Sequence, residues 1–328
     1  MTETSTATEP VPATTADGAK PAAEGTKRRR PLATAARPWL LLAPALAVLA
    51  GLLLWPLIQV VQLSLQDYEV RFGGGVATYT GFDHYADLLS SGLLWRTVLP
   101  NTVFFAFACV GLTVALGTLV ALLLQRLGPL WRLICSTAIM AAWAMPAVTG
   151  TYVWIWLFQP QDGLFSRIAG ALGLIDPETT NWFTERVPFY AIATLNVVHH
   201  GFPFVAITVL AGLLTIPREL YEAGLLDGAT AWQRFWRITV PTLRPVFLVV
   251  TILSTIWDFK VFTQIFVMPG GSGSNPDVYN LGVFSYIGAF AKNDYGTGAA
   301  AAVLLTLLLL AVTLLYVRTL FRQGEEDL

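Results

Sequence analysis

Charge is what this chain of 328 residues has least of: Asp, Glu, Lys and Arg together make up 12% of it, against 55% hydrophobic residues and a mean hydropathy of +0.60. Soluble domains carry about a quarter charged residues, so an ordinary soluble domain of this length is excluded. Cysteine is nearly absent. The two present, Cys109 and Cys135, fall in separate apolar runs at different depths, which argues against a disulfide and leaves two small buried apolar groups. Histidine is as scarce: besides the adjacent His199 and His200 there is only His84, with no acidic cluster beside the pair, so no metal-ligand set is expected. The chain also lacks a glycine-rich run leading into Lys and Ser or Thr, the pattern that cradles a nucleotide phosphate. No nucleophile and base stand at a recognised catalytic spacing. The chain is therefore expected not to be an enzyme, and any work driven by ATP requires a second polypeptide.

What the sequence has instead is long apolar runs. Lipid offers no partner to a free backbone amide or carbonyl, so a segment crossing it must close its own hydrogen bonds, which takes about 20 apolar residues as a helix. Six runs qualify: roughly Trp39 to Val61, Leu99 to Leu124, Leu133 to Leu157, Pro188 to Leu214, Val246 to Val267 and Gly298 to Val317. The expected fold class is all-α, a polytopic membrane protein with six transmembrane helices. A net charge of −1 hides a one-sided distribution of Lys and Arg. With the amino terminus inside, fourteen gather on one side: Lys20, Lys27, Arg28, Arg29, Arg30, Arg37, Arg126, Arg132, Arg218, Arg234, Arg237, Arg244, Arg318 and Arg322. Only Arg71, Arg96, Arg167, Arg186 and Lys292, five in all, fall on the other side. The positive-inside rule then puts both termini and the 217–244 loop in the cytoplasm.

Residues 1 to about 30 contain no aromatic residue and cannot bury enough surface to offset chain entropy. The expected organisation is a disordered tail at 1–36, a transmembrane domain at 37–320 and a short tail at 321–328. The Lys27 to Arg30 cluster is read as a topology anchor on anionic membrane lipid, not as a nucleic-acid patch or the start of a signal peptide, because no small-residue cleavage site follows it. Trp95, Trp154, Trp156, Trp182 and Tyr190 sit near predicted span boundaries, where an interfacial belt is expected. The loops at about 66–98, 158–187 and 268–297 read as long outer connections.

Between the fourth and fifth runs, the loop carries Glu222-Ala223-Gly224, three residues, Gly228, nine residues, then Ile238-Thr239-Val240-Pro241. From Glu219 to Trp236 it contains helix formers, with Leu225, Ala229, Trp232 and Trp236 on one face provided Gly228 does not break the helix. Gly228 supplies a bend or a close backbone approach. This stretch closely resembles the EAA loop of ABC importer permeases, with Gly224 in place of the second Ala and Val240 in place of Leu. The resemblance implies the type I importer permease fold in a bacterial cell membrane. It also implies that the loop is a cytoplasmic helix docking on a separate ATPase, with Glu222 and Gly228 central, Ala223 and Asp227 beside them, and Gly224, Ile238 and Pro241 completing the motif. By the same resemblance ATP and Mg bind to the partner ATPase, with no cofactor in this chain.

The likeness to permeases of sugar importers extends over roughly Trp39 to Arg318. It is carried by His199-His200-Gly201-Phe202-Pro203, by Gly212-Leu213 and Ile216-Pro217, and by Trp257 to Phe262 followed by Gly270-Gly271. It implies a second homologous permease, a dimer of ATPase subunits and an extracytoplasmic sugar-binding protein. The solute would be a di- or oligosaccharide such as chitobiose, cellobiose, maltose or trehalose, with a slight lean to a chitobiose-like disaccharide. Relatives often carry Asn where Trp257 and Lys260 stand, so location carries over better than chemistry. Ionisable groups inside a span cost a few kcal/mol and usually face protein or a watery cavity. Asp258 is read mainly as an ion pair or cap, and Lys260 either snorkels or lines the pathway. Trp257 is either a sugar platform or a packing residue. His199, His200 and Gly201 sit near mid-membrane, just before Pro203, and the imidazoles are placed to bond a polyol; Thr149 and Tyr152, after Pro146, are weaker candidates. The alternatives are an ion-coupled secondary transporter, with Asp258, Lys260 and the His pair carrying a proton, and an ABC permease for a non-sugar solute.

Overall fold

The structure, a computed structural model, describes residues 32–71, 74–176 and 178–326. The Lys27 to Arg30 cluster and the tail before it lie outside the described residues. Two units divide the chain after Leu54. In the first, α1 (Leu32–Leu49) runs into a π-helical turn at Ala50–Leu54 and begins inside the stretch expected to be a tail. The second opens with α2 (Trp55–Leu63), followed by a hairpin of β1 (Gln66–Arg71) and β2 (Gly74–Tyr79). That antiparallel pair, with Gln66 opposite Tyr79, is an exception to the all-α expectation.

The remaining elements are helices. They are α3 (Asp83–Ser90), α4 (Leu99–Arg126), α5 (Pro129–Trp143), α6 (Ala147–Leu157), α7 (Leu164–Ala171) and α8 (Arg186–Leu213). After these come α9 (Arg218–Leu226), α10 (Ala231–Arg234), α11 (Val240–Thr242), α12 (Arg244–Phe259), α13 (Thr263–Val267), α14 (Leu281–Tyr286) and α15 (Tyr295–Glu326). By length and composition, five stretches among the described residues are fit to cross a membrane: Leu41–Leu63, Leu94–Arg126, Arg186–Leu213, Arg244–Val267 and Tyr295–Arg318. The third expected span is not one straight helix. It is split into α5 and α6, which meet at 91°. Pro146 causes the break, since it has no N–H to donate and disfavours helical backbone at Met145.

Lipid tails are as apolar as Leu, so spans associate through close packing and buried hydrogen bonds. The α4–α8 crossing shows this. A Cβ added at Gly117 would lie 2.6 Å from the Val205 Cβ, and one at Gly201 would lie 3.1 Å from the Thr113 methyl. Absent side chains at these two glycines bring the backbones together. Around the crossing, Phe105, Ala106, Cys109, Phe189, Ala193 and Val205 are all buried. Gly201, read from sequence as a pathway residue, is a helix-contact glycine here.

The 268–297 stretch, expected to be an outer loop, folds back onto the bundle and contains an apolar helical segment at Leu281–Ala291. Backbone groups at and before the start of α14 are satisfied by side chains from the spans. Asn101 donates to the carbonyls of Asp277 and Tyr279 at 3.0 and 2.9 Å, Tyr190 donates to the Val278 carbonyl at 3.0 Å, and Thr102 accepts from the Leu281 amide at 2.8 Å. Such backbone is tolerated at depth only where protein covers it. The aromatic belt is also smaller than expected. Trp95 and Trp156 are exposed, but Trp154 stacks on Phe158, Trp182 donates to Ser166 and Tyr190 holds this segment.

Candidate functional site

Asn196, His199 and His200 stand at i, i+3 and i+4 on α8 and therefore share one helical face. They border a cavity of about 50 Å³ at the α5–α6 break, together with Met145, Gly150, Trp154 and Gln264. Both carboxamides are buried, Asn196 at 3% and Gln264 at 5% exposure. The Trp154 ring lies 6.0 Å from the His199 ring between centroids. Two interruptions assemble this pocket. The 91° bend swings α6 across α8, and the gap between α12 and α13 turns Gln264 inward. Within α8, Pro203 has no N–H for the His199 carbonyl, which frees a polar backbone atom at the same level.

Of the residues singled out for a pathway, the structure brings His199 and His200 together in this cavity. Thr149 and Tyr152 are exposed on α6, and its neighbours Gly150, Val153 and Trp154 form the wall instead. Trp257 packs edge-on against Phe204 at 5.0 Å and is 42% exposed. Lys260 is exposed at the carboxyl end of α12. Asp258 is buried, and the structure records no ion pair for it among the described residues. Its Oδ2 has no hydrogen-bond partner among the described residues. Asn196 was legible as a helical neighbour of the His pair, whereas Gln264 carried no local signal.

The 217–244 loop is built differently, almost entirely from local sequence. Instead of one helix from Glu219 to Trp236, α9 ends at Leu226 and the chain turns at Gly228, whose φ of +72° lies in the left-handed region. The Gly228 amide donates to the Leu225 carbonyl at 3.0 Å and the Ala229 amide to the Gly224 carbonyl at 2.9 Å, the paired bonds of a Schellman turn. Nothing lies within 4 Å of where a Gly228 Cβ would stand, so the glycine serves the bend and makes no close approach within this chain. Thr230 then caps α10 through reciprocal bonds with Gln233. The expected single face of Leu225, Ala229, Trp232 and Trp236 is thereby divided.

The two arms of this elbow fold against each other. A Cβ at Gly224 would sit 3.2 Å from the Ile238 Cδ1, and the Tyr221 hydroxyl is 2.9 Å from that of Thr239. Gly224 and Ile238 thus lock the elbow internally, while Glu222, Ala223, Asp227, Gly228 and Pro241 remain exposed. Leu226 is 90% exposed at the tip and Trp232 69%, with Phe235 and Trp236 clustered beside the latter. An apolar tip is thus left uncovered, with exposed Glu222 and Asp227 close to it in the chain.

A helical bundle with a polar notch in its interior and an exposed elbow at one end is a form that suits a membrane conduit. The chain belongs to the family described as binding-protein-dependent transport system inner membrane components, whose profile matches residues 113–323. It is 38% identical to the diacetylchitobiose uptake system permease protein DasB of Streptomyces coelicolor, over 90% of each chain. It is 32% identical to the trehalose/maltose transport system permease protein MalF of Thermococcus litoralis, over 85% of this chain and 92% of that one. A solved bacterial ABC transporter that imports the acidic polysaccharide alginate has a chain of the same fold, with a TM-score of 0.73 and 21% identity over 89% of this chain and 99% of that one.

Proposed function

We propose that this inner membrane component is the permease subunit of an ATP-driven importer for a di- or oligosaccharide, a chitobiose-like disaccharide foremost. Supporting the solute class is the relationship over 90% of the chain to a diacetylchitobiose permease, joined by the trehalose/maltose permease. ATP and Mg are bound by a separate dimeric ATPase, and an extracytoplasmic sugar-binding protein delivers the solute; a solved alginate transporter of this fold is described in complex with a sugar-bound periplasmic protein. With fourteen of the Lys and Arg residues on the elbow side, both termini and the 217–244 loop are cytoplasmic.

In this reading the ATPase grips the exposed Glu222, Ala223 and Asp227 and the Leu226 tip, and the internally locked elbow carries its motion to α8 and α12. The single observation behind the lever is that the turn is built within the loop itself. Gly228, Gly224 and Ile238 fix the shape of the loop before any partner arrives. At the other end of the coupling, Asn196, His199, His200 and Gln264 offer hydrogen bonds to sugar hydroxyls. A cavity of about 50 Å³ holds a water or two, far below the ~300 Å³ of a typical ligand site, so the described conformation is closed to sugar. Opening α6 from α8, with a second homologous permease facing the notch, completes the site; Thr149, Tyr152, Trp257 and Lys260, all exposed here, then border the passage. Bound sugar only biases the two conformations by its differential affinity.

Co-purification with the ATPase and the binding protein, followed by ATPase assays with and without chitobiose, tests this directly. Stimulation by the disaccharide is expected. A complex that ignores sugars and answers to peptides or phosphate compounds would remove the sugar assignment.

A further inference from the structure

On the surface between α4 and α8 runs an open groove of about 570 Å³, at the bundle end opposite the elbow. Two stripes of matching period form it. Phe104, Ala108 and Leu112 follow one another at four-residue spacing on α4, and Val187, Ala191 and Leu195 do the same on α8. The two alanines make the floor, while Phe104 at 74% and Val187 at 78% exposure stand as rims. At the mouth the lining changes character. Arg186, the first residue of α8, borders the groove and donates through Nη1 to the backbone carbonyl of Arg96 at 3.5 Å, so one guanidinium stands at the end of an apolar channel, with a second exposed arginine four residues before Pro100 of its lining. Neither has an ion-pair partner among the described residues.

We propose that this groove holds one anionic phospholipid, with its phosphate on Arg186 and Arg96 and an acyl chain along the alanine floor. Arg186 begins a membrane-crossing helix and therefore sits at headgroup level. From there to Leu195 is about 13 Å along the helix axis, close to the ~15 Å depth of one leaflet. A headgroup whose phosphate has no compensating cation attached suits exposed guanidiniums better than a zwitterionic one. A transmembrane helix of a partner subunit fits the apolar floor but brings no anion to the arginines, so charge favours the lipid. The assignment does not depend on which solute the transporter carries.

Native mass spectrometry of the full transporter complex, released from nanodiscs of mixed dioleoyl-phosphatidylglycerol and dioleoyl-phosphatidylcholine, provides the test. The wild type is expected to retain one phosphatidylglycerol with about tenfold preference over phosphatidylcholine. Arg96→Gln with Arg186→Gln should abolish that preference. Ala108→Leu with Ala191→Leu, which fills the floor, should lose the retained lipid with both arginines intact. If the leucine pair fails to insert, the glutamine pair carries the test alone. Equal retention of both lipids by the wild type, an unchanged preference in the glutamine variant, or efficient cross-linking of Leu195→Cys to a partner subunit's helix would each overturn the assignment.

Discussion

The elbow at 217–244 and the notch beside His199 are held by opposite means. In the elbow, acidic and apolar side chains are pushed outward on a turn shaped within about 25 residues by a left-handed glycine, a capped four-residue helix and a Gly224–Ile238 contact, with Tyr221 and Ile238 seating it on the bundle core. The notch instead hides carboxamides and imidazoles contributed by α8, the α5–α6 break and α13, and none of these elements alone makes a site. Local determination suits a part that must hold its shape while being pushed. Assembly from separate elements suits a part that must open, because displacing any one of them takes the site apart. The two regions also differ in what covers them, since Leu226 at the elbow tip is 90% exposed while Gln264 in the notch is 5% exposed.

The largest effect expected from breaking this contrast is at Gly228. A β-branched residue in left-handed backbone costs about 1–2 kcal/mol, and 1.4 kcal/mol is tenfold in population. Gly228→Val should therefore cut uptake roughly 5- to 30-fold at unchanged membrane abundance. Gly228→Asn, which visits the left-handed region readily, should keep most of it. If transport and quantitative blotting show both variants equally dead, the glycine serves contact with the partner and not the bend.

On the notch side, His200→Ala and Gln264→Ala should raise the apparent sugar KM by roughly 3- to 10-fold, the worth of one lost hydrogen bond. Basal ATP hydrolysis should stay level, because the elbow is untouched. A change in basal turnover with no change in KM would move these residues out of the sugar pathway.

Asp258→Asn is expected to leave thermal stability of the detergent-solubilised protein nearly unchanged, since it keeps the shape and removes only the possibility of charge from a buried side chain whose Oδ2 has no hydrogen-bond partner among the described residues. An ion pair broken there would instead cost about 3–5 kcal/mol and a clear fall in Tm. The smallest effect belongs to Gly224→Ala, where a Cβ 3.2 Å from Ile238 asks the side chain to give by a few tenths of an ångström. Uptake should stay within about twofold.

How far each region could be read in the sequence follows from the same contrast. The Glu222 to Pro241 spacing announced the elbow because its determinants are adjacent in the chain, and Gly228 was already marked as a bend or a close approach. Its division into two helices went unread because the amphipathic offsets of Leu225, Ala229, Trp232 and Trp236 run across the glycine without interruption. The His pair was visible beside Pro203, and Asn196 shares its helical face. Gln264 was not visible, because only the break after Lys260 turns it inward and hydropathy averages over that break. Pro146 splits the third run although the apolar residues on either side of it read as one continuous span. Gly201 has a helix contact that no local pattern reveals, since only the 3.1 Å approach to Thr113 shows it.

The most direct test of the account is sugar-stimulated ATP hydrolysis in the reconstituted complex carrying Glu222→Ala, compared with the wild type at equal assembly. The account predicts that basal hydrolysis persists while stimulation by chitobiose and uptake are lost together. Full stimulation in that variant, or uphill uptake by the purified chain with no ATPase present, would contradict it.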